Sequence, residues 1–417
     1  MLNAVGKDAV TVNGRTYAWP RRPSIVICFD GCDPAYIDAA EVAGNAPNLI
    51  GMKTNGFYAI ADAAMPSFTN PNNVSIVTGA PPSIHGVSGN FYLDPVTGAP
   101  VMMVDAAPLR APTILAAFSE AGARVAAITA KDKLRKALGA GLRGIAFSAE
   151  LAHETTVEEH GIADVAALVG TPLPDRYSAA LSLFVLDAGV RLLQRERFDL
   201  LYLSLSDYVQ HAHAPGTPEA DRFMAAVDDR VGRFLAHGAL VGIVADHGMS
   251  DMSHPDGRPN VLFLGDRLDE AFGVGALTVV CPITDPFVRH HGALGGFVRV
   301  HGTPGVNLEV VRTFIAALPG VHLSLTRDEA CARFDLPPDR EGDLAVVAER
   351  GVALGARARE HDVSALAGTR LRSHGGLCER AIPFLISEPV AAPFAARAQT
   401  RLTNADIFDF VLNGVLR

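Results

Sequence analysis

The chain has 417 residues, 49% of them apolar and 19% charged, with a formal net charge of −9. That length exceeds what one core usually serves, so one large domain with a sizeable insertion, or two domains, is expected, with ample apolar surface to bury. The acidic balance argues against nucleic acid and against a polybasic membrane surface as partners.

The opening stretch MLNAVGKDAVTVNGRTYAWPRRP lacks the apolar core of a secretion signal, and no later window approaches ~18 uninterrupted apolar residues. A soluble, cytoplasmic protein is the expectation. Residues 1–23 read as a short hairpin or arm, because Asn13-Gly14 sits between two β-rich runs. A strand over 24–30 follows, SIVICF running into Asp30, and then a helix near 47–55, a strand near 58–63 and a helix over 71–78. Next come a helix over 112–121, strands at 124–129 and 144–148, and a long helix near 177–195. A strand over 199–206 leads into Asp207, a helix spans about 218–236, and a strand over 240–245 ends at Asp246-His247. This alternation predicts an α/β fold: a doubly wound, mostly parallel sheet flanked by helices.

Beyond residue 255 the segments shorten and Gly, Pro and Asp separate them, with one clear helix at 306–317. Residues 256–366 therefore read as an inserted, smaller α+β cap domain, leaving 1–255 and 367–417 as the α/β core. The alternative is that the stretch simply extends the main sheet. After it come RSHGGL, carrying His374, and the strand IPFLIS. The five cysteines, Cys28, Cys32, Cys281, Cys331 and Cys378, show no CxxC spacing and are read as reduced, mostly buried thiols. Cys28 shares a strand face with Asp30 and is assigned to the core.

Three apolar runs thus each end on an aspartate, and in an open α/β sheet the ligand crevice lies at the carboxyl ends of the strands. Three carboxylates aimed at one place need a cation to compensate them. His211 lies four residues after Asp207, His247 is adjacent to Asp246, and His374 sits in a turn-like segment. Taken singly, each Asp-His pair is explained as well by a loop hydrogen bond or a cap. Together the six make more ligands than one tetrahedral ion can use, and two zinc ions roughly 3.5–4 Å apart form the usual phosphoryl-transfer clamp. Mn2+ and Fe2+ stay open, since availability rather than sequence decides among them.

Between the first two carboxylate strands lies MPSFTNPNNVSIVTGAPPSIHGVSGN. A helix starting at about Pro71 places Thr69 at its N-terminus, where free N–H groups, the helix dipole and a nearby zinc would together lower the hydroxyl pKa. An ordinary N-cap is the plain alternative. The Asn90 amide could donate to a phosphoryl oxygen, whereas His85 and Gly86 are read as shaping a turn.

Asp30, Thr69 in FTNPNN, the TGxxPxxHG run, Asp207 with His211, DHGM at 246–249 and HGG at 374–376 occur in the order seen in the alkaline phosphatase superfamily. The chain most resembles its nucleotide pyrophosphatase/phosphodiesterase branch, where the nucleophile is threonine. The likeness covers about 24–255 and 367 to the end. Within that branch, the nucleophile segment with its following NFYLD, then VMMVD, LRAPTI, TAKDKLRKALG and DYVQHAHAPG, is similar to the phosphonoacetate hydrolases, which cleave phosphonoacetate to acetate and phosphate. The resemblance implies one zinc on Asp30, Thr69, Asp246 and His247, a second on Asp207, His211 and His374, and Asn90 on the phosphoryl group. Ser67, where threonine is expected, leaves that ligand set untouched.

Lysine usage bears on the same point from the residues alone. Five lysines stand against thirty-one arginines, and three of the five fall in KDKLRK at 131–136, directly after the strand RVAAIT. Lys131 and Lys133 thereby reach the sheet edge that carries the aspartates, where two ammonium groups could bind a substrate carboxylate. A solvated cationic helix start is the bland alternative. The expected reaction is attack on phosphorus by a zinc-activated Thr69, with water activated by the second zinc releasing phosphate and the lysines stabilising the departing carbanion. A dizinc phosphodiesterase or phosphomonoesterase is the alternative. The expected partner is a small-molecule phosphonate, with a homodimer left open, and His213, His254, His290 and His291 are taken as loop histidines.

Overall fold

The computed structural model describes residues 8–94, 97–284, 291–366 and 368–416. A seven-stranded sheet runs in the order Phe57–Asp62, Ala381–Ile386, Leu240–Val244, Ser24–Cys28, Leu200–Ser204, Val125–Thr129, Ile145–Ser148. Ala381–Ile386 runs antiparallel to the other six strands. The strands Ser24–Cys28, Leu200–Ser204, Leu240–Val244 and Val125–Thr129 are buried at every position, as continuous apolar runs with both faces covered must be.

Two sets of helices cover the sheet. Pro34–Ala43, Pro47–Asn55 and Ala179–Arg195 pack around the amphipathic Pro218–Ala236 helix, while Thr69–Thr78, Ile114–Glu120 and Asp132–Leu138 form the second set. The Pro34–Ala43 helix escaped the sequence reading, its signals being an Asp33 cap and Pro34 in the first turn. At the amino end, Ala9–Val12 and Arg15–Ala18 pair across Asn13 and Gly14, both at positive φ (50° and 79°), as the Asn-Gly signal predicts. Residues 1–7 of the expected arm lie outside the described residues.

The later stretch builds a separate four-stranded antiparallel sheet, ordered Leu277–Val280, Phe297–Gly302, Leu344–Ala348, Val321–Thr326. It does not extend the main sheet. Leu308–Ala316 and Arg327–Phe334 pack on it over a hydrophobic cluster of its own, into which Met65 and Phe68, just before the Thr69–Thr78 helix, also insert. All five cysteines are free thiols, with Cys28, Cys32 and Cys281 buried. Among the described residues no helix is long and apolar enough to cross a membrane.

Candidate metal centre

Sheet register places the three aspartates. Val244, Cys28 and Ser204 lie side by side at the ends of adjacent parallel strands, so Asp246 and Asp30 follow at the same level and Asp207 one residue further on. Parallel neighbours are about 4.8 Å apart, which sets the carboxylate spacing. His211 is on the Tyr208–Ala212 helix that begins at Asp207. His374 arrives from far downstream, because Arg372–Ser373 pairs antiparallel with Ser250–Asp251 just beyond His247. Gly375, at φ 117°, lets this loop press on the Phe68 ring, which a Cβ would meet at 2.2 Å.

All six side chains are buried and converge. Asp207, His211 and His374 form one group with ligand atoms within 4.8 Å of one another, and Asp30, Asp207 and His247 form a second. Asp207 belongs to both, whereas the resemblance assigned it to one ion. Asp246 sits beside the second group with its Oδ2 3.8 Å from His247 Nε2, while accepting from the Gly31 and His247 amides and from Asn73.

The histidine tautomers follow from their partners. His211 Nδ1 donates to the Arg372 carbonyl at 2.6 Å, His247 Nδ1 to that of Gly248 at 2.8 Å, and His374 Nδ1 to that of Ser67 at 2.8 Å. Each Nε2 is then a lone pair aimed inward, the arrangement by which backbone carbonyls orient metal-binding imidazoles. His211 Nε2 lies 3.0 Å from Asp207 Oδ2, and His247 Nε2 lies 3.4 Å from Asp30 Oδ1. Contacts this short need positive charge between the paired atoms, supplied by a proton or by a metal cation. Asp30 Oδ1 is buried with no hydrogen-bond donor, the vacancy in bonding that a cation would satisfy.

The electrostatics agree. Burial, then the Asp207 and Asp246 charges, push the Asp30 carboxyl well above its ordinary range. Burial, with His247 and His211 alongside, holds His374 well below the usual imidazole value, so it is neutral and able to ligate. The donor set of carboxylates and imidazoles suits zinc, manganese or iron.

Thr69 is the first residue of the Thr69–Thr78 helix, two residues earlier than Pro71 suggested, and the cap position belongs to Phe68. The Thr69 hydroxyl makes no cap and lies 3.2 Å from His247 Nε2. Asn72 and Asn73 of FTNPNN, unread in the sequence, hold that helix in place. Asn73 donates to the Thr69 carbonyl and to Asp246 Oδ2, both at 3.1 Å, and accepts from Tyr202 and Ser204, while Asn72 bonds Ala64 and Asn404.

A narrow cleft opens onto the centre, lined by Thr69, Asn70, Asn90, Lys131, Lys133 and His291 among others. Lys131 Nζ is 3.1 Å from Asp207 Oδ1. Asn90 Nδ2 donates to the Ile283 carbonyl at 3.2 Å, tying the cleft to the second sheet's segment, and its Oδ1 has no donor. Asn70, also missed, is buried with neither end of its amide partnered.

His291 lies on a turn, as a loop histidine should, but that turn buries it in the cleft, its ring 5.6 Å from that of His211. Sequence spacing carries no sign of this, because the contact joins the Tyr208–Ala212 helix to a turn far downstream in the chain. His213 and His254 do not line the cleft, and His290 lies outside the described residues. His85 accepts from Val87 and bonds Ser75, with Gly86 at φ 83°, a turn-forming role. Cys28 is wholly buried, in neither ligand group.

Fold and site together define a metal-dependent hydrolase of the phosphodiesterase type: the chain belongs to the type I phosphodiesterase / nucleotide pyrophosphatase family, matched over residues 24–376. A murine ectonucleotide pyrophosphatase/phosphodiesterase shares the fold, with TM-score 0.61 and 17% identity over 93% of each chain. The particular likeness is to phosphonoacetate hydrolase from Sinorhizobium meliloti. Its crystal structure in complex with phosphonoacetate is 46% identical, with TM-score 0.92, over 98% of this chain and 99% of that one. An uncharacterized pyrophosphatase/phosphodiesterase of Schizosaccharomyces pombe is 39% identical over 75 residues, which span 18% of this chain and 15% of that protein.

Proposed function

We propose that this chain hydrolyses the carbon–phosphorus bond of phosphonoacetate to acetate and phosphate. The observation that carries the reading is the presence of Lys131 and Lys133 in the same cleft as Thr69 and the Asp/His cluster. Asp30, Thr69, Asp246 and His247 would hold one zinc and Asp207, His211 and His374 the other, with Asp207 close enough to serve both. Bound there, the ions would polarise the phosphoryl oxygens and lower the pKa of the attacking hydroxyl and of water.

Thr69 Oγ1 attacks phosphorus in line with the C–P bond, whose electron pair passes to the methylene carbon. That carbanion is delocalised into the neighbouring carboxylate as an enolate-like dianion and takes a proton from solvent to become acetate, balancing the proton that the Thr69 hydroxyl gives up to solvent on attack. Lys131 and Lys133 place positive charge where the dianion develops, worth far more in a buried cleft than in water. Asn90 orients a phosphoryl oxygen through the second hydrogen of its Nδ2. Water attack on the threonyl phosphate returns Thr69 and releases phosphate.

We assign residues 1–255 and 367–417 to the catalytic core and 256–366 to a cap that excludes water through Ile283 and His291. The family match supports a second reading, ester hydrolysis by the same centre. An alkoxide is the easier leaving group and needs the lysines less. The Lys131→Ala/Lys133→Ala double variant tests this: activity on phosphonoacetate should fall at least about a hundredfold, the size of a lost electrostatic contact in the transition state. Activity on an aryl phosphate ester should fall little. Equal losses on both favour the esterase.

A further inference from the structure

A second cavity, of about 710 Å³, opens away from the metal centre where the Arg327–Phe334 helix of the second sheet's unit meets the core. Its size falls within the range of small-molecule sites. Five arginines line it, Arg15, Arg333, Arg380, Arg397 and Arg401, against three aspartates, Asp335, Asp406 and Asp409. In a chain of net charge −9 this is a local excess of positive charge.

The aspartates are already matched. Arg15 pairs with Asp406 at 2.7 Å, Arg397 with Asp409 at 2.6 Å and Arg401 with Asp335 at 3.4 Å. Arg380 is held by Asp62 at 3.1 Å and by the Ala63 carbonyl. Arg333 lies over the Phe334 ring and has no carboxylate partner among the described residues. The cavity's own carboxylates are two fewer than its arginines and, with Asp62 counted, one positive charge, that of Arg333, has no carboxylate beside it among the described residues.

One of these arginines is also pre-set. Arg397 is clamped between Phe394 and Phe410, its guanidinium carbon 4.9 and 4.8 Å from the two ring centroids. A head group already fixed by rings and ion pairs loses little freedom when it takes up a ligand, which is how preorganisation yields affinity. A guanidinium fork matches the oxygen geometry of phosphate better than an ammonium does.

We propose that this cavity is a second anion site, which binds a small phosphate-bearing molecule carrying at least two negative charges. Its ligand would bridge Arg333 of the second unit to Arg397 and Arg401 of the core. The site is separate from the catalytic cleft and does not depend on the reaction assigned to it.

Calorimetric titration of the metal-loaded enzyme with inorganic phosphate, fructose 1,6-bisphosphate and succinate tests this, alongside an Arg333→Gln/Arg401→Gln variant. The expected result is that one or both phosphate probes occupy a site whose affinity falls at least about tenfold in the variant, the loss of one charged hydrogen bond or more. Turnover and far-ultraviolet circular dichroism should stay unchanged, showing that the fold and the cleft are intact. Unaltered phosphate binding in the variant, or binding confined to the cleft, overturns the proposal. Succinate binding as tightly as either phosphate overturns the choice of phosphate.

Discussion

Replacing Asp30 by asparagine should have opposite effects with and without metal. In the metal-free protein the Asp30 carboxylate is buried, one oxygen has no donor, and its ligand oxygen lies within 4.8 Å of one on Asp207. Two unit charges at that distance repel by about 3.5 kcal/mol at an effective dielectric of about 20. Lys131 offsets part of this, leaving on the order of 1–3 kcal/mol. The sign follows from linkage. The folded-state pKa is raised, so the folded protein holds its proton longer than the unfolded chain, and stability falls as pH rises from about 4 toward the folded value.

The Asp30→Asn variant lacks that loss. For 417 residues, at about 2.1 cal/mol/K of unfolding entropy each, its metal-free Tm should rise by about 1–3 °C near neutral pH. Saturating zinc should reverse the order, because the wild type gains about 2.7 kcal/mol at a hundred times the dissociation constant and the variant far less. Differential scanning calorimetry of chelator-treated and zinc-loaded samples reads both effects. A variant less stable than wild type without metal, or stabilised equally by zinc, would refute the reasoning.

Thr69→Ala should abolish trapping of a phospho-enzyme and reduce turnover by at least about a thousandfold, while Thr69→Ser retains both; full activity in the alanine variant removes Thr69 from the scheme. Asn73→Ala strips a donor from Asp246 and the acceptor from buried Tyr202 and Ser204, so stability should fall by about 2–4 kcal/mol in denaturant titration. Zinc affinity should drop about 10- to 100-fold in equilibrium dialysis, and a variant with unaltered affinity means the helix needs no such tie. Burial and the nearby Arg340 depress His85 to about 3 from an ordinary 6.5, so the unfolded chain takes up its proton first and stability is lost as pH falls below about 6.5. Between pH 7 and 5 that amounts to about 2 kcal/mol, and a His85→Gln variant should show a correspondingly shallower slope.

Much of the centre could be read from the linear chain because its parts sit at the ends of elements with strong local signals. A buried parallel strand is a continuous apolar run, so Asp30, Asp207 and Asp246 announce themselves as the first charges after such runs. The His211 and His247 contacts are local in sequence, and the lysine cluster is conspicuous against so many arginines. His291 and Asn70 have no comparable marker. His291 is a histidine in an irregular segment, like His254, and only its burial beside His211 distinguishes it.

Local patterning thus settled which segments become strands, where the charged residues stand on them and what chemistry those residue types can perform. Tertiary structure alone decided that Asp207 reaches both ligand groups, that His374 closes over them from the Arg372–Ser373 ladder, and that arginines from both ends of the chain share one cavity. The reason is physical. Element type is written in neighbours a few residues apart, whereas distances between side chains remote in the chain depend on strand order, register and the packing of one sheet's unit on another.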